Sequence, residues 1–329
     1  MAAYELSDRL VVGVASSALF DLTESDAYFQ EHGEAAYRKY QDKHLDDQLQ
    51  PGVAFPFIQR LLGLNDLRPS DPLVEVIVLS RNDPTTGLRV MRSVESHCLD
   101  ISRAVFTQGK APYEYIGAFD MSLFLSGNRP DVDEAVRLGF PGGHVLPSQA
   151  EYDESDRSLT VAFDFDGVLA NDESERYYKD GGLGPYLEHE AEFRLEALGK
   201  GLLQPLLADL NKIQSIEDER VAEDKTYEPR LRIALVTARN APAHERAIHS
   251  MRDWGVRVND AFFLGGIEKA KVLRVMRPHI FFDDQTTHLD GAVGDIAGVH
   301  IPYGVANESA PPTTESDSLV QERRVEGML

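Results

Sequence analysis

One cysteine, Cys98, stands among 329 residues, so no disulfide can close within the chain and a cysteine-based metal site lacks its ligands. Long apolar runs are missing too. No stretch approaches the roughly 18 residues that a membrane span needs. The first residues, MAAYELSDRL, have neither a basic segment nor a signal-peptide core. The simplest expectation is therefore a cytoplasmic protein without membrane attachment. Positive charge is scarce as well. Lys and Arg number 33 against 55 Asp and Glu, a net charge of -22. A surface of that sign argues against the backbone of a nucleic acid polymer. It leaves room for a small phosphorylated ligand, because a bound metal reverses the local field.

What is present suits a folded enzyme. Hydrophobic residues make up 42%, enough for real cores, and the length fits two domains. Short β-like runs at Val11–Ala15, Val74–Leu79, Ser122–Leu125, Leu159–Phe163, Ile233–Val236 and His279–Phe282 alternate with amphipathic stretches such as Ala243–Trp254 and Glu268–Met276. That alternation predicts an α/β fold with a mostly parallel sheet. Residues 147–158 (PSQAEYDESDRS) read as a linker, and 305–329, with NESAPPTTESDS, as a disordered tail.

An internal repeat is visible. VVGVASSALFDLTESDAYFQEHG (11–33) aligns without a gap over TVAFDFDGVLANDESERYYKDGG (160–182), an offset of 149 (160 − 11). Glu24, Ser25, Tyr28 and Gly33 fall on Glu173, Ser174, Tyr177 and Gly182; Gly52 and Pro56 fall on Gly201 and Pro205. SRNDP (80–84) matches ARNAP (238–242), and MSLFLSGN (121–128) matches PHIFFDDQ (278–285). The expectation is two copies of one α/β unit. They differ in their acids: Asp164, Asp166, Asp283 and Asp284 stand where the first copy has Ala15, Ser17, Ser126 and Gly127. A DxDG taken alone is as well explained by a turn. Loss of all four carboxylates from one copy is better explained by a metal-carboxylate site kept in the other.

Four pieces follow in order in the second half: Asp164-Phe165-Asp166, LVTAR (235–239) ending a strand in Thr237, Lys269 near a helix start, and IFFDDQ (280–285) with paired acids. In a strand, residues i and i+2 share a face, so Asp164 and Asp166 emerge together. In a parallel sheet the three strand ends converge on one edge. The chemistry that fits is phosphoryl transfer. A carboxylate attacks phosphorus, a second acid serves the leaving alkoxide and then the water, and Mg²⁺ on hard oxygen ligands removes the repulsion between acids and phosphate. Thr237, the amides after it and Lys269 suit the phosphate oxygens.

This motif set resembles that of the haloacid-dehalogenase-like (HAD-like) superfamily. The chain is more closely similar to the cytosolic 5′-nucleotidase I family, through SSALFD (16–21), PGVAFP (51–56), NDESER (171–176), LVTAR, RPHIFFDDQ (277–285) and HIPYG (300–304), over residues 10 to 304. The resemblance implies Mg²⁺-dependent hydrolysis of nucleoside 5′-monophosphates, AMP among them. Carried over, Asp164 is the nucleophile, and Asp166 is the acid/base and lends its backbone carbonyl to the metal. Thr237, Ala238 and Lys269 bind phosphate, and Asp283 and Asp284 complete the metal site. The family's D-G-D-A-V is DFDGV here, which keeps the two acids and puts nucleotide preference in doubt. The implied fold is a HAD-like Rossmannoid parallel sheet flanked by helices. It is present as two related copies, the second with a small cap insertion. Residues 1–146 form a degenerate unit without catalytic acids, expected to pack on the active half and shape its pocket; residues 159–304 form the catalytic domain, with a cap segment at about 171–230.

Other readings stay open. The same motifs serve a phosphatase for another small monoester, and a nucleotide-binding regulator with weak turnover would keep the binding groups. Arg176, Arg239 and Asn240 are candidates for substrate contact. Arg176 could instead pair with nearby acids, and Arg81 and Asn82 match Arg239 and Asn240 in the copy without acids. Glu173 and Glu175 read as solvated helix acids, the aromatics Tyr177, Tyr178 and Tyr186 as packing, His288 as structural, and Cys98 and Trp254 as core. The oligomeric state is open, a homo-oligomer included.

Overall fold

A computed structural model describes residues 5–153, 155–292 and 294–308. The predicted tail therefore lies outside the described residues, apart from 305–308. Those four are ordered: Val305–Asn307 form a helical turn, with Val305 buried. The chain continues past His300 because Val305 N donates to Asp172 Oδ2 at 2.9 Å, a contact no local pattern reveals.

Ten strands make one sheet: β1 (Leu10–Val14), β2 (Val74–Ser80), β3 (Arg103–Phe106), β4 (Leu123–Ser126), β5 (Gly142–Val145), β6 (Leu159–Phe163), β7 (Leu231–Thr237), β8 (Asp260–Phe263), β9 (Ile280–Asp283) and β10 (Gly298–His300). Their spatial order is β3-β2-β1-β4-β5-β10-β9-β6-β7-β8. Every pairing is parallel except β5 with β10 at the centre, where Val145 faces Val299 and His144 faces His300. Each half thus runs outward from that seam in the same connectivity. Six strands, β3, β4, β5, β8, β9 and β10, are three or four residues long. The apolar runs of β4 (LFLS) and β9 (IFFD) are legible all the same, whereas β3 (RAVF), β5 (GGHV), β8 (DAFF) and β10 (GVH) are broken by charged, histidine or glycine residues and escape sequence patterning.

The helices are α1 (Ser16–Leu19), α2 (Thr23–Lys43), α3 (Phe55–Gly63), α4 (Pro84–Ser96), α5 (Arg129–Arg137), α6 (Glu173–Gly181), α7 (Leu183–Glu192), α8 (Gln204–Glu223), α9 (His244–Asp253), α10 (Lys269–Met276) and α11 (Thr286–Asp290). They cover both faces, which is why β1 (LVVGV) and the β6 core residues are buried on both sides rather than alternating with polar residues. One large apolar core joins the halves on one face. It takes Val12, Phe57, Val161, Phe163, Leu207, Ile233 and Phe282. On the other face each half has its own smaller cluster, around Phe281 and Val236 in one and Phe124 and Ile77 in the other. No helix among the described residues is long and apolar enough to cross a membrane.

The helical excursion after the first strand occurs in both halves, so it is not an insertion special to the second. Helix α2 is kinked at Gly33 (φ 75°, ψ 176°), and α6 and α7 are separated by Gly182 (φ 75°, ψ −167°). The excursion is also shorter than 171–230. Helix α8 turns Leu206, Leu207, Leu210 and Ile213 into the shared core, so it belongs to the layer on the sheet. Cys98 is exposed rather than core. It follows the end of α4 with φ 55°, a left-handed position that carries the chain away from the helix.

Candidate active site

The second half changes its winding direction at β6, which lies between β7 and β9. The carboxyl ends of these three strands open a crevice of the kind in which α/β sheets bind ligands. Asp164 directly follows β6, Thr237 ends β7 and Asp283 ends β9. Asp164 N extends the ladder by donating to Phe282 O at 2.8 Å. The chain then turns sharply at Gly167, whose φ of 71° suits glycine. A Cβ there would lie 2.6 Å from Asp284 Oδ2, so the residue also makes room for that carboxylate.

Lys269, at the start of α10 and 3% exposed, sits between two buried carboxylates. Its Nζ lies 2.7 Å from Asp164 Oδ2 and 2.7 Å from Asp283 Oδ2. Asp283 is fully engaged: Oδ1 accepts from Gln285 N at 2.9 Å, and His288 Nδ1 lies 3.1 Å away. Burial pushes Asp283 upward, but Lys269 and His288 outweigh it and hold the carboxyl below the usual range. Asp164 goes the other way. Burial raises it to about 6, further than Lys269 pulls it back. Asp284, next to Asp283 in sequence, is 1% exposed with no donor on Oδ2. Burial, with Asp164 and Glu175 close by, raises it to about 10. The two acids of the DD pair thus have opposite electrostatics, Asp283 matched by cations and Asp284 unmatched.

Asp166 points at a second cation. Arg239 grips it from two sides, Nε to Oδ2 at 2.7 Å and Nη2 to Oδ1 at 2.6 Å, the planar two-point match that guanidinium makes with carboxylate. Arg239 Nη1 also reaches Glu190 Oε2, from α7. Glu190 is wholly buried; its Oε1 takes Arg246 Nη1 at 2.9 Å and Ser174 Oγ at 2.7 Å, and Arg246 Nη2 continues to Glu173 Oε1 at 2.8 Å. Glu190 and Arg246 were not legible as site residues. Their only sequence signal is charge inside otherwise amphipathic helices. Glu173 is an ion-pair partner whose side chain stays partly solvated. Glu175 is more enclosed: Gln285 Nε2 holds its Oε1 at 2.9 Å, Oε2 is buried without a donor, and burial raises the carboxyl to about 7.

These side chains open on a cavity of about 460 Å³, lined by Asp164, Asp166, Glu175, Thr237, Arg239 and His288 together with Tyr178, Leu183, Tyr186, Ala238 and Asn240. All of these residues come from the second half, so the first half does not wall this pocket. Tyr178 is exposed and Tyr186 half-buried, set edge-on with ring centres 5.9 Å apart; they are lining, not core. Ala238 and Asn240 are exposed on the loop after Thr237, while Thr237 Oγ1 accepts from Arg239 N at 3.3 Å. Arg176 is not brought to the cavity. It is half-exposed and pairs with Asp172 at 2.8 Å and Glu308 at 2.7 Å. Trp254 is half-buried, stacked on Phe165 with its Nε1 donating to Leu198 O at 3.1 Å.

The strand register corrects the repeat alignment by one residue. Val14 pairs with Val78, and Phe163 with Leu235, so Ser80 stands at the place of Thr237 and Asn82 at that of Arg239. Ser80 Oγ accepts from Asn82 N at 3.2 Å, the same turn as at Thr237. Arg81, which pairs with Asp131, is therefore not the counterpart of Arg239. A larger cavity of about 660 Å³ lies at the corresponding strand ends of the first half, with Ser17 and Gly127 where the other has Asp166 and Asp284. It is bigger but carries no buried acid–lysine constellation.

Asp164, Asp283 and His288 offer ligand atoms within 4.8 Å of one another. Asp283 and His288 are already engaged with each other, however, and Asp283 with Lys269 as well. Asp164 shares Lys269 with Asp283, so Asp284, whose Oδ2 has no donor, is the acid with the freest oxygen beside Asp164, and hard carboxylate oxygens suit Mg²⁺.

Comparison with known proteins agrees with this geometry. The family model described as 5′-nucleotidase matches residues 2–308. Human cytosolic 5′-nucleotidase 1B is 32% identical over 298 residues, covering 88% of this chain and 48% of that protein; the chain thus spans about half the length of this curated relative. Among solved structures, histidinol dehydrogenase from Elizabethkingia anophelis aligns over 88% of this chain and 52% of its own, at 9% identity and a TM-score of 0.21, a likeness too weak to carry an argument. With a family match over nearly the whole described chain and the acids, threonine and lysine of its motifs gathered at one sheet edge, the protein belongs to the 5′-nucleotidase family.

Proposed function

We propose that the chain is a cytosolic Mg²⁺-dependent 5′-nucleotidase that hydrolyses nucleoside 5′-monophosphates of the AMP type to nucleoside and phosphate. The observation that carries this reading is Asp164, buried at a strand end with Lys269 on one oxygen and the unmatched Asp284 beside it. Asp164, Asp284 and the backbone carbonyl of Asp166 would hold the cation. When bound, Mg²⁺ offsets the charge of the acids and polarises the phosphoryl oxygens.

The chain's own groups supply the rest. Thr237 Oγ1, the amides of the 238–240 loop and Lys269 Nζ bind the phosphate oxygens and fix phosphorus in line with Asp164. An Asp164 carboxylate oxygen attacks phosphorus, and the ester P–O bond breaks. Asp166 gives its proton to the leaving 5′-oxygen and then takes one from water, which attacks the aspartyl phosphate and releases phosphate. Arg239 holds Asp166 at the cavity rim in its ionised form, and one of the two contacts gives way while Asp166 carries the proton. Tyr178, Leu183 and Tyr186 offer the nucleoside apolar and aromatic surface.

Residues 1–146 read as a non-catalytic copy of the unit in 159–304. The matched strand order and the paired kinks at Gly33 and Gly182 support a duplication. Its contribution is the continuous sheet and common core rather than pocket residues. The test is phosphate release from AMP, other nucleoside monophosphates and sugar phosphates, with Mg²⁺ or EDTA, by the wild type and Asp164→Asn. Release from nucleotides that needs Mg²⁺ and vanishes in the variant is expected. Release from sugar phosphates alone would overturn the substrate, and release unchanged in Asp164→Asn would overturn the mechanism.

A further inference from the structure

Glu175 lies outside the acid motifs of the sequence. It sits in the first turn of α6, in the excursion over the strand ends, and stands in the wall shared by two cavities, one holding Asp164 and Asp166 and the other Asp284. Its Oε2 and Asp284 Oδ2 are both buried acceptors without a donor, and the two carboxyls are within reach of each other. Two buried carboxyls in this relation are costly unless a shared proton or a cation comes between them.

The neighbouring cations are committed elsewhere. Lys269 is held by Asp164 and Asp283, Arg239 by Asp166 and Glu190, Arg176 by Asp172 and Glu308, and Lys179 Nζ by Val305 O at 3.0 Å. The placement of Glu175 is also built. Gln285 fixes its Oε1, and α6 is pinned below by Asp172 to Val305 N. Asn307 Nδ2, in the same segment, donates to Asp284 O at 2.9 Å. The first half offers a contrast. At the position of Asp284 it has Gly127, and at that of Glu175 the shorter, exposed Asp26. The long, half-buried acid and its facing carboxylate occur together in one half, and the other half has neither.

We propose that Glu175 is a further acidic residue of the divalent-cation site, standing across from Asp284, so that the bound cation clasps α6 to the end of β9. The inference rests on the cation reading given above and adds a coupling to it: the helix that overhangs the pocket is held down by the same ion that serves the phosphate. A residue one step out from a metal in this way typically changes metal affinity by about 10- to 100-fold.

The experiment is a MgCl2 titration of the full chain, stripped with EDTA, followed by thermal unfolding and by hydrogen exchange of the α6 amides. The proteins are the wild type, Glu175→Gln, and Glu188→Gln as a control at an exposed acid of α7. Glu175→Gln should raise the metal-free Tm, weaken the apparent Mg²⁺ affinity at least about ten-fold, and lose the Mg²⁺-dependent protection of α6, while Glu188→Gln follows the wild type. Wild-type Mg²⁺ affinity in Glu175→Gln overturns the inference alone and leaves the cation reading standing. A lowered metal-free Tm also overturns it, because the acid would then be a stabilising partner. Absence of any Mg²⁺ effect on the wild type overturns the cation reading and this inference together.

Discussion

Replacing Asp284 by Asn should stabilise the metal-free protein, the reverse of what removing a buried polar group usually does. The carboxyl sits at about 10 in the fold against 3.8 without it. Because the folded value is raised, the folded chain binds a proton that the unfolded chain releases at any pH between those two. Stability is therefore lost as pH rises through that window. At pH 7 the gap above 3.8 corresponds to about 4 kcal/mol, at roughly 1.4 kcal/mol per pH unit. Asn has the shape of the protonated acid and nothing to ionise. The gain for Asp284→Asn should approach that figure near pH 7, be small near pH 4, and grow by up to about 1.4 kcal/mol per unit in between. Urea unfolding in EDTA at pH 5, 6, 7 and 8 measures it directly. Saturating Mg²⁺ should reverse the order of the two proteins, since only the wild type keeps the ligand. A variant less stable than the wild type at pH 7 in EDTA, or a gain that does not change with pH, would refute the claim that Asp284 lacks a partner.

Lys269→Met strands Asp164 and Asp283 in the interior and should cost about 3–5 kcal/mol in denaturant unfolding; adding Asp283→Asn to it should recover part of the loss. Glu190→Gln weakens the hold on Arg239 and Arg246 at once. It should lower kcat more than it raises KM, since Asp166 is displaced but the phosphate contacts stay, and a pure KM effect in steady-state kinetics would contradict the role given to Arg239. Cys98 is exposed, so a thiol reagent should label the native protein stoichiometrically without denaturant, and protection until unfolding would show that the end of α4 is buried instead.

Much of the site was legible because its chemistry is local in sequence. Asp164 and Asp166 follow an apolar strand, Thr237 ends another and the DD pair a third, and strand ends of a parallel sheet share an edge. The α/β class followed from the same alternation, and the two halves have matching strand orders. What escaped has a common cause. Glu175, Glu190, Arg246 and Tyr178 lie on amphipathic helices whose charged residues look alike until the helices are placed over the sheet. The misplacement of Arg239 against Arg81 came from an alignment one residue out, which only the strand register corrects. Cys98 looked apolar by residue type, but its position after a helix end turns it outward.

Sequence alone therefore determined the kind of protein: an acidic α/β chain whose second half carries one set of phosphoryl-transfer motifs and whose first half lacks the acids. Patterns of apolar residues and motif spacing are properties of neighbours along the chain, and they survive without coordinates. Only the tertiary structure decided that the two halves share one sheet through β5 and β10, that Asp283 is matched by Lys269 while Asp284 is not, that Glu175 lines the site and that Glu190 backs Arg239. Each of those depends on which residues meet across distances of tens to more than a hundred residues. Burial then makes the meeting consequential, because a carboxylate out of water takes its properties from the groups beside it.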